Sequence, residues 1–300
     1  MSPGYSYTVY GLNIASCLPC PGLHPGSGVP DVVVRYGPVP DALPDARVGG
    51  VCYQATSRQL LLSVSGVAKY LVSDGREIWV ERAEKANDDD VRLFLLGSAL
   101  GALLHQLGRL VFHGSAIETG GGAVALLGHS GEGKSTWAAL FHQRGCPVMA
   151  DELCVVAPAE SGELLLQPGF PQLNLWPDAC QKMGLPLEKM RRVRPQLEKF
   201  AQSLYGNMAS RPLPLRRLYV LHRTHFLTAQ FRELRGAEKL IVLVNHTYRA
   251  GYVAALGRSV AHFRQCESVA RQLPVIWVEL PRHPFPADEL VARFEEDFQK

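Results

Sequence analysis

The sequence has little net charge and no long uninterrupted apolar run. Its 300 residues include 31 lysines and arginines and 28 aspartates and glutamates, which leaves a formal net charge of +3. A surplus this small, dispersed along the chain, does not form the basic surface that nucleic-acid binding needs. The longest apolar stretch, residues 91–104, is interrupted by Arg92 and glycines and is shorter than the roughly 20 residues of a membrane span. We therefore expect neither a nucleic acid nor a membrane as a partner.

Cysteines are few, and the chain opens without a secretory pattern. The seven cysteines are an odd number without regular spacing, which is typical of a reducing compartment rather than of a disulfide framework. The opening residues, MSPGYSYTVYGLN, lack a positively charged segment followed by an apolar one, so no secretory signal is predicted. These absences together predict a cytoplasmic protein.

The residue patterns divide the chain into two predicted regions. Residues 1–86 consist of short strand-like runs separated by Pro and Gly clusters, which predicts a small antiparallel β-rich region. From residue 87 to residue 300, helical and strand patterns mix, which predicts an α/β domain. In this domain we expect one helix over residues 252–273 and a strand, PVMADE, that ends at two acids.

A glycine-rich segment, GHSGEGKS at residues 128–135, matches the Walker A pattern G-x-x-x-x-G-K-[ST]. The apolar residues 123–127 before it predict a buried strand, and residues 135–143 after it predict a helix. In this setting the phosphates of ATP would lie at the helix N-terminus, where Lys134 would neutralise the outer phosphates and Ser135 would ligate Mg²⁺. The predicted nucleotide-binding residues are Gly128, Ser130, Gly131, Gly133, Lys134, Ser135 and Thr136.

A second strand, residues 110–118, precedes the strand that leads into the loop and is joined to it through ETGGGA. If Gly120 and Gly121 form the centre of a hairpin turn, His113 lies opposite Gly128 at the mouth of the loop. A slip of one residue would turn His113 to the other face of the sheet.

Two adjacent acids, Asp151 and Glu152, follow Lys134 by 17 and 18 residues. An acid at the end of an apolar strand beside a phosphate loop is the expected position of a Mg²⁺ ligand or of a base that accepts a hydroxyl proton. Because adjacent side chains of a strand point to opposite faces, one acid would face the metal and the other the substrate. The sequence leaves this division open. Both acids are candidate metal ligands with Ser135, and both are candidate catalytic residues with His113 and Lys134.

The segments FHGSAIE, LLGHSGEGKST and GCPVMADE together resemble the catalytic domain of HPr kinase/phosphorylase. In that family the active site comprises a histidine before the loop, a G-x-S-G-x-G-K-S loop and an ADD-type strand end. These features fall here on His113, residues 128–135 and residues 150–152. The resemblance implies an α/β phosphate-loop nucleotide domain of the HPr kinase/phosphoenolpyruvate carboxykinase type, with ATP and Mg²⁺ as cofactors. It also weakly implies a homo-oligomer.

Two departures from this family bear on the substrate. Glu152 stands where HPr kinases carry Asp. The GLGI segment of the bifunctional enzymes has no counterpart, since the chain reads GFPQLNLWPDAC, which argues against HPr as the acceptor. The opening YTVYGLNIASCLPCPGL instead resembles HPr-kinase-like proteins found with lasso-peptide machinery, some of which phosphorylate a serine of a precursor peptide.

We therefore predict an ATP-dependent serine kinase that acts on a peptide or small protein, such as a lasso-peptide precursor. Lys199 and Arg249 are candidate substrate contacts because their cationic groups could bind a phosphate or a peptide carboxylate. Three alternatives stay open: a regulatory HPr-type protein serine kinase, a nucleotide-dependent switch or scaffold without a phosphorylated product, and a small-molecule kinase or carboxykinase-like enzyme. The last ranks lowest, because the extra metal-binding His and Lys positions of the carboxykinases are not found.

Overall fold

The computed structural model describes residues 4–46, 48–194, 197–204, 208–282 and 286–298. The chain forms two compact units. The first comprises Met1–Val111 and Tyr248–Gln265, and the second comprises Phe112–Thr247 and Cys266–Lys300. The protein is mixed α/β with a β-rich N-terminal region, as predicted. The predicted domain division between residues 86 and 87 stays a prediction.

The strands and helices have the following bounds. The strands are β1 (Tyr5–Val9), β2 (Leu12–Ser16), β3 (His24–Pro25), β4 (Val32–Tyr36), β5 (Val48–Gly50), β6 (Tyr53–Ala55), β7 (Gln59–Val64), β8 (Ala68–Ser73), β9 (Glu77–Arg82), β10 (Leu110–Thr119), β11 (Gly122–Leu127), β12 (Val148–Pro158), β13 (Leu164–Leu166), β14 (Gln172–Leu175), β15 (Arg191–Arg194), β16 (Leu197–Ser203), β17 (Leu213–Thr224), β18 (Gln230–Glu233) and β19 (Val275–Pro281). The helices are α1 (Asp88–Phe94), α2 (Leu100–Gln106), α3 (Lys134–Gln143), α4 (Pro177–Lys182), α5 (Ala237–Asn245), α6 (Ala250–Ala255), α7 (Ser259–Gln272) and α8 (Ala287–Phe298).

In the first unit, one sheet has the strand order β3-β1-β2-β4-β9-β8-β7-β6-β5. The prediction of an antiparallel region is wrong at two pairings, because β2 pairs in parallel with β4 and β4 pairs in parallel with β9. The residues of β4 and β9 are distant in sequence, and local patterns of Pro, Gly and apolar residues carry no information about such a partner.

Helices α1 and α2 are joined by a π-helical turn, Leu95–Ala99. The segment begins at Asn87, whose side chain accepts a hydrogen bond of 2.7 Å from the backbone N–H of Asp90 and so caps the first turn. The single helix predicted over residues 252–273 is wrong, because the chain forms α6 and α7 with a break between them. Gly257 lies in this break with φ of +71°, a left-handed value that ends helices and favours glycine.

A second sheet has the order β11-β10-β12-β13-β17-β19-β18, and β11 also pairs with β17. Strands β10 and β11 form the predicted hairpin, in which Gly114 pairs with Leu127 and Thr119 pairs with Gly122. Strand β17 runs parallel to both β11 and β19. The pairing of β11 with β17 joins β10, β11, β12, β13 and β17 into a closed ring of neighbouring strands. Because β11 and β17 are parallel, the residues that follow β11 lie close to the end of β17.

The core of the second unit lies under this sheet, where aromatic side chains pack together. Phe294 of α8 contacts Trp137 and Phe141 of α3 and Tyr219 of β17, with ring centroids 5.1 to 5.7 Å apart. All four side chains are buried. Helix α3, which follows the glycine-rich loop, is thereby fixed against the core. Within the described ranges we find no helix of the length and apolar character that crossing a membrane requires.

Candidate active site

The glycine-rich loop, residues 128–133, connects β11 to α3. Gly128 packs against β17, where a Cβ atom would lie only 2.9 Å from the carbonyl oxygen of Leu221. Gly133 precedes α3 with φ of +94°, and no side chain caps this helix N-terminus by a hydrogen bond. The first N–H groups of α3 therefore have no capping side chain, which is the arrangement that binds anions at helix N-termini.

Lys134 brings a positive charge into this loop. Its side chain is buried, and Nζ donates a hydrogen bond of 3.0 Å to the carbonyl oxygen of His129 in the same loop. Burial lowers the pKa of Lys134 from its ordinary value, while the nearby carboxylates of Glu152 and Asp151 oppose that shift. A bound anion would compensate the cost of keeping this ammonium group charged away from water.

Asp151 accepts three hydrogen bonds at the base of the site. Its Oδ1 accepts from Ser115 Oγ at 2.6 Å and from Ser135 Oγ at 2.9 Å, and its Oδ2 accepts from the backbone N–H of Asn174 at 3.0 Å. Burial, followed by repulsion from Glu152, raises the pKa of Asp151, and the three hydrogen bonds oppose the rise. A nearby cation would favour the ionised form of this carboxyl group.

Glu152 has an unusual backbone conformation in the middle of a strand. The prediction that the strand ends at the two acids is wrong, because β12 continues to Pro158. Glu152 has φ of +69°, a left-handed value that costs a non-glycine residue free energy and often occurs at functional sites. Asp151 and Glu152 both line one cavity, rather than pointing to opposite faces as a regular strand predicts. The left-handed residue interrupts the alternation of the strand.

The Glu152 carboxylate lies between two basic side chains. Oε1 is 3.2 Å from Lys199 Nζ, and Oε2 is 3.5 Å from His113 Nδ1. Burial acts to raise the pKa of Glu152, but Lys199, which donates a hydrogen bond to this carboxylate, contributes most to holding the pKa below its ordinary value. Burial and the charge of Lys134 lower the pKa of His113 to about 4. At neutral pH the site therefore holds an ionised Glu152 beside a neutral His113.

The position of His113 agrees with the predicted register. The pairing of Gly114 with Leu127 is the register that directs His113 toward Gly128, and the His113 side chain lines the cavity. Its backbone N–H donates a hydrogen bond of 2.8 Å to the carbonyl oxygen of His246. The cavity has a volume of about 290 Å³ and is lined by His113, Ser130, Gly131, Gly133, Lys134, Ser135, Thr136, Asp151, Glu152, Asn174, Leu175, Trp176, Asp178, Lys199 and Arg223.

Two predicted residues take other positions. Gly128 packs against Leu221 of β17 at the start of the loop, and it is not among the described residues that line the cavity. Arg249 belongs to the first unit, where its guanidinium carbon lies 5.7 Å from the ring centroid of Tyr248 and 5.6 Å from that of Tyr252. Its role as a substrate contact stays a prediction. The predicted roles of the cavity residues likewise stay predictions.

The residue patterns missed several side chains of the cavity and its base. Ser115 could have been found, because it lies two residues after His113 on β10 and therefore on the same face. Trp176, which the segment LNLWPD predicts as core packing near the active-site wall, lines the cavity, and Lys199 Nζ lies 5.4 Å from its ring centroid. Arg223 lies near the end of β17. No local pattern connects Arg223 with the glycine-rich loop.

The cavity offers few protein ligands for a metal ion. Across the described ranges, no group of three His, Cys, Asp or Glu residues could hold a metal. Mg²⁺ often binds through one or two protein oxygens together with substrate phosphates and waters. The Ser135 hydroxyl and the Asp151 carboxylate, with oxygens 2.9 Å apart at the loop, fit that requirement. The Glu152 carboxylate is instead engaged by Lys199 and His113.

Comparisons with known proteins give a structural likeness but no sequence match. No protein-family model and no curated protein matches the sequence. Among solved structures, the chain is similar to the Hpr(Ser) kinase/phosphatase from Coxiella burnetii, with 10% sequence identity and a TM-score of 0.34. The match covers 63% of this chain and 92% of that chain. This is the family that the sequence motifs resemble.

Proposed function

We propose that this protein is an ATP-dependent kinase that transfers the terminal phosphate of ATP to a serine hydroxyl of a peptide or small protein. One observation carries the proposal. A single cavity contains a glycine-rich loop with Lys134, the Ser135–Asp151 pair and a second carboxylate, Glu152, with separate partners. Phosphoryl transfer needs an anion cradle, a metal site and a group that orients the acceptor hydroxyl.

The loop and Lys134 would bind the phosphates. Backbone N–H groups at the N-terminus of α3 and the Lys134 ammonium group are suited to this role. We infer from these residues a phosphate-loop nucleotide domain of the HPr kinase type. Since no described contact distinguishes adenine from guanine, the choice of ATP rests on the resemblance of the motifs.

Ser135 and Asp151 would hold Mg²⁺ between the protein and the phosphates. When bound, the ion neutralises charge on the phosphate oxygens during transfer. Ser115 and the backbone N–H of Asn174 keep the Asp151 carboxylate oriented through hydrogen bonds of 2.6 and 3.0 Å. Such supporting contacts fix the orientation of a metal ligand.

Glu152 would accept the proton of the acceptor hydroxyl. As the hydroxyl oxygen bonds to the terminal phosphorus, the bond from phosphorus to the bridging oxygen breaks, ADP leaves and the proton passes to Glu152. The lowered pKa of Glu152 keeps it ionised before transfer, and Lys199 and His113 hold it in place. This assigns the metal role to Asp151 and the base role to Glu152.

The acceptor class follows from the resemblance of the opening segment to lasso-associated kinases. Lys199 and Trp176 form part of the cavity wall beside Glu152, where a peptide backbone could lie. A cytoplasmic location and a homo-oligomer accompany this proposal. Arg249 remains a candidate for contacts with the rest of the peptide.

The test is phosphorylation of defined acceptors. The purified protein is incubated with Mg²⁺ and ATP that is radiolabelled at its terminal phosphate. The acceptors are precursor peptides encoded near its gene and an array of serine peptides. We expect label on a serine of at least one peptide, and loss of that label with Asp151→Asn.

Glu163→Gln is the matched control, because Glu163 is an exposed acid that pairs with Arg216. This variant should label the peptide as the unmodified protein does. ATP hydrolysis without any labelled acceptor would contradict the kinase and favour a nucleotide-dependent switch. Absence of nucleotide binding would contradict both.

A further inference from the structure

Arg223 places a second cationic side chain against the glycine-rich loop. It lines the cavity near the end of β17. Its Nη2 atom lies 3.8 Å from the position that a Cβ atom on Gly133 would occupy, so the guanidinium group is next to the residue that precedes α3. Strand β17 is parallel to β11, and the two strands therefore approach the loop in the same direction.

Arg223 differs from the other arginines of its strand. Arg216 is paired with Glu163 at 3.1 Å, and Arg217 is paired with Asp297 at 2.7 Å. Within the described residues, no carboxylate lies within ion-pair distance of the Arg223 guanidinium group. An arginine in a cavity without an acidic partner is suited to a ligand anion, and its planar fork matches the oxygens of a phosphate.

The backbone of Arg223 is fixed to the loop itself. Its N–H donates a hydrogen bond to Oε2 of Glu132, which is a loop residue. Oε1 of Glu132 lies 3.8 Å from Nδ1 of His222, the preceding residue of β17. Because one loop side chain contacts both residues, the base of the Arg223 side chain is held in a constant position relative to the loop.

We propose that Arg223 binds the terminal phosphate of the nucleotide and stabilises the charge on it during transfer. This inference rests on the proposed kinase function. In a loop of this pattern, the backbone amides hold the inner phosphates and the lysine reaches the outer ones. Arg223 shares its cavity with Ser135, Asp151 and Glu152, the residues assigned to the metal and to the acceptor. The phosphate nearest to those groups is the one transferred.

The test compares nucleotides that differ by the terminal phosphate. Affinities of the unmodified protein, Arg223→Ala and Arg216→Ala for ADP and for a nonhydrolysable ATP analogue are measured by titration calorimetry with Mg²⁺. We expect Arg223→Ala to weaken binding of the ATP analogue by about 10-fold to about 100-fold, the range for a lost charge-assisted contact. Binding of ADP should stay within about twofold. Arg216→Ala removes the same charge from the same strand and should change neither affinity.

Two results would overturn this role for Arg223. An equal loss of affinity for both nucleotides would place the arginine on the inner phosphates or the nucleoside, and unchanged affinities would remove it from the site. If the unmodified protein binds neither nucleotide, the kinase proposal fails together with the role of Arg223. If the unmodified protein binds both nucleotides, a failed prediction for Arg223→Ala contradicts only the role of Arg223.

Arg223→Lys is a second variant that controls for a folding defect. Its circular dichroism and melting temperature are compared with those of the unmodified protein. Lysine keeps the charge but loses the two-pronged contact, so we expect an intermediate loss of affinity for the ATP analogue alone. The rate of ATP hydrolysis by this folded variant should fall more than its affinity, because charge stabilisation is greatest during transfer.

Discussion

The two units use buried polar side chains in opposite ways. In the first unit, Gln106 accepts from the backbone N–H of Gly75 at 2.8 Å and donates to the carbonyl oxygens of Val72 and Arg58. His105 lies 2.8 Å from the carbonyl oxygen of Tyr248. In the second unit, the buried polar groups Lys134 and Asp151 line a cavity together with Glu152. In the first unit the side chains connect separate backbone segments by hydrogen bonds, and in the second unit ionisable side chains lie together in one cavity.

This difference separates groups that stabilise the fold from groups that cost stability. Neutral polar side chains with satisfied hydrogen bonds lose little on burial. Buried charges that are only partly compensated are costly, and their presence indicates a ligand or a reaction. Variants in the first unit should therefore change stability more than turnover, and variants in the cavity should do the reverse.

The largest expected effect is on turnover and comes from Glu152→Gln. If Glu152 accepts the hydroxyl proton as proposed, its loss should lower the rate of phosphoryl transfer by about 10² to 10⁴. Nucleotide affinity should stay within about threefold, because an amide and a carboxylate have nearly the same shape and Glu152 is not assigned to the nucleotide. Transfer rates from a single-turnover assay and ATP affinities from calorimetry check both parts. A variant with an unchanged rate would refute the base role.

Lys134→Met sharpens the comparison because it should alter turnover and stability in opposite directions. Removal of the ammonium group should lower the rate of ATP hydrolysis by about 10² to 10³. The free energy of unfolding should stay unchanged or rise by about 1 kcal/mol, because a buried charge is replaced by an apolar side chain of similar length. Urea unfolding without nucleotide measures the second effect. A clear loss of stability would show that Lys134 supports the fold.

The pH dependence of the first unit should depend on His105. Burial, with a smaller contribution from His262, lowers the pKa of His105 to about 4 from 6.5. Between these values the unfolded chain binds a proton that the folded chain does not, so stability is full above pH 6.5 and is lost toward pH 4. The loss amounts to about 3 kcal/mol.

His105→Gln should remove this part of the pH dependence, since glutamine does not titrate. Hydrogen exchange of the α1 and α2 amides at neutral and acidic pH, compared between the variant and the unmodified protein, measures the change. Equal acid sensitivity in both proteins would contradict the assignment to His105.

The smaller of the two losses of stability in the first unit is expected from Gln106→Ala. It removes three hydrogen bonds, among them the one that the backbone N–H of Gly75 donates to Gln106, which should cost about 2 kcal/mol of stability. Gln59→Ala is the control, because Gln59 makes one longer side-chain bond of 3.3 Å to Ser73. Hydrolysis of ATP per folded molecule should be the same in both. A selective loss of hydrolysis with Gln106→Ala would break the proposed separation between the units.

Local sequence patterns predicted the parts of the site that are close in sequence. The hairpin register that directs His113, the start of α3 and the acids of β12 all follow from turn residues, helix signals and apolar runs. The parallel pairings of β2, β4 and β9, the continuation of β12 past Glu152 and the approach of Arg223 depend on distant segments. A left-handed glutamate inside a strand also contradicts local propensity, so only tertiary structure reveals it.

The left-handed backbone of Glu152 favours glycine for stability, whereas the proposed reaction needs the carboxylate of glutamate at the same position. A glycine at residue 152 would relieve about 1 kcal/mol of conformational strain and delete the carboxylate in the same step. Selection for abundance alone should therefore enrich glycine at this position, while selection for kinase activity should retain glutamate. A library of all substitutions at residue 152 can be assayed for cellular abundance and, separately, for phosphorylated product. The difference in stability between glutamate and the most abundant variant measures the stability that the proposed reaction costs at this position.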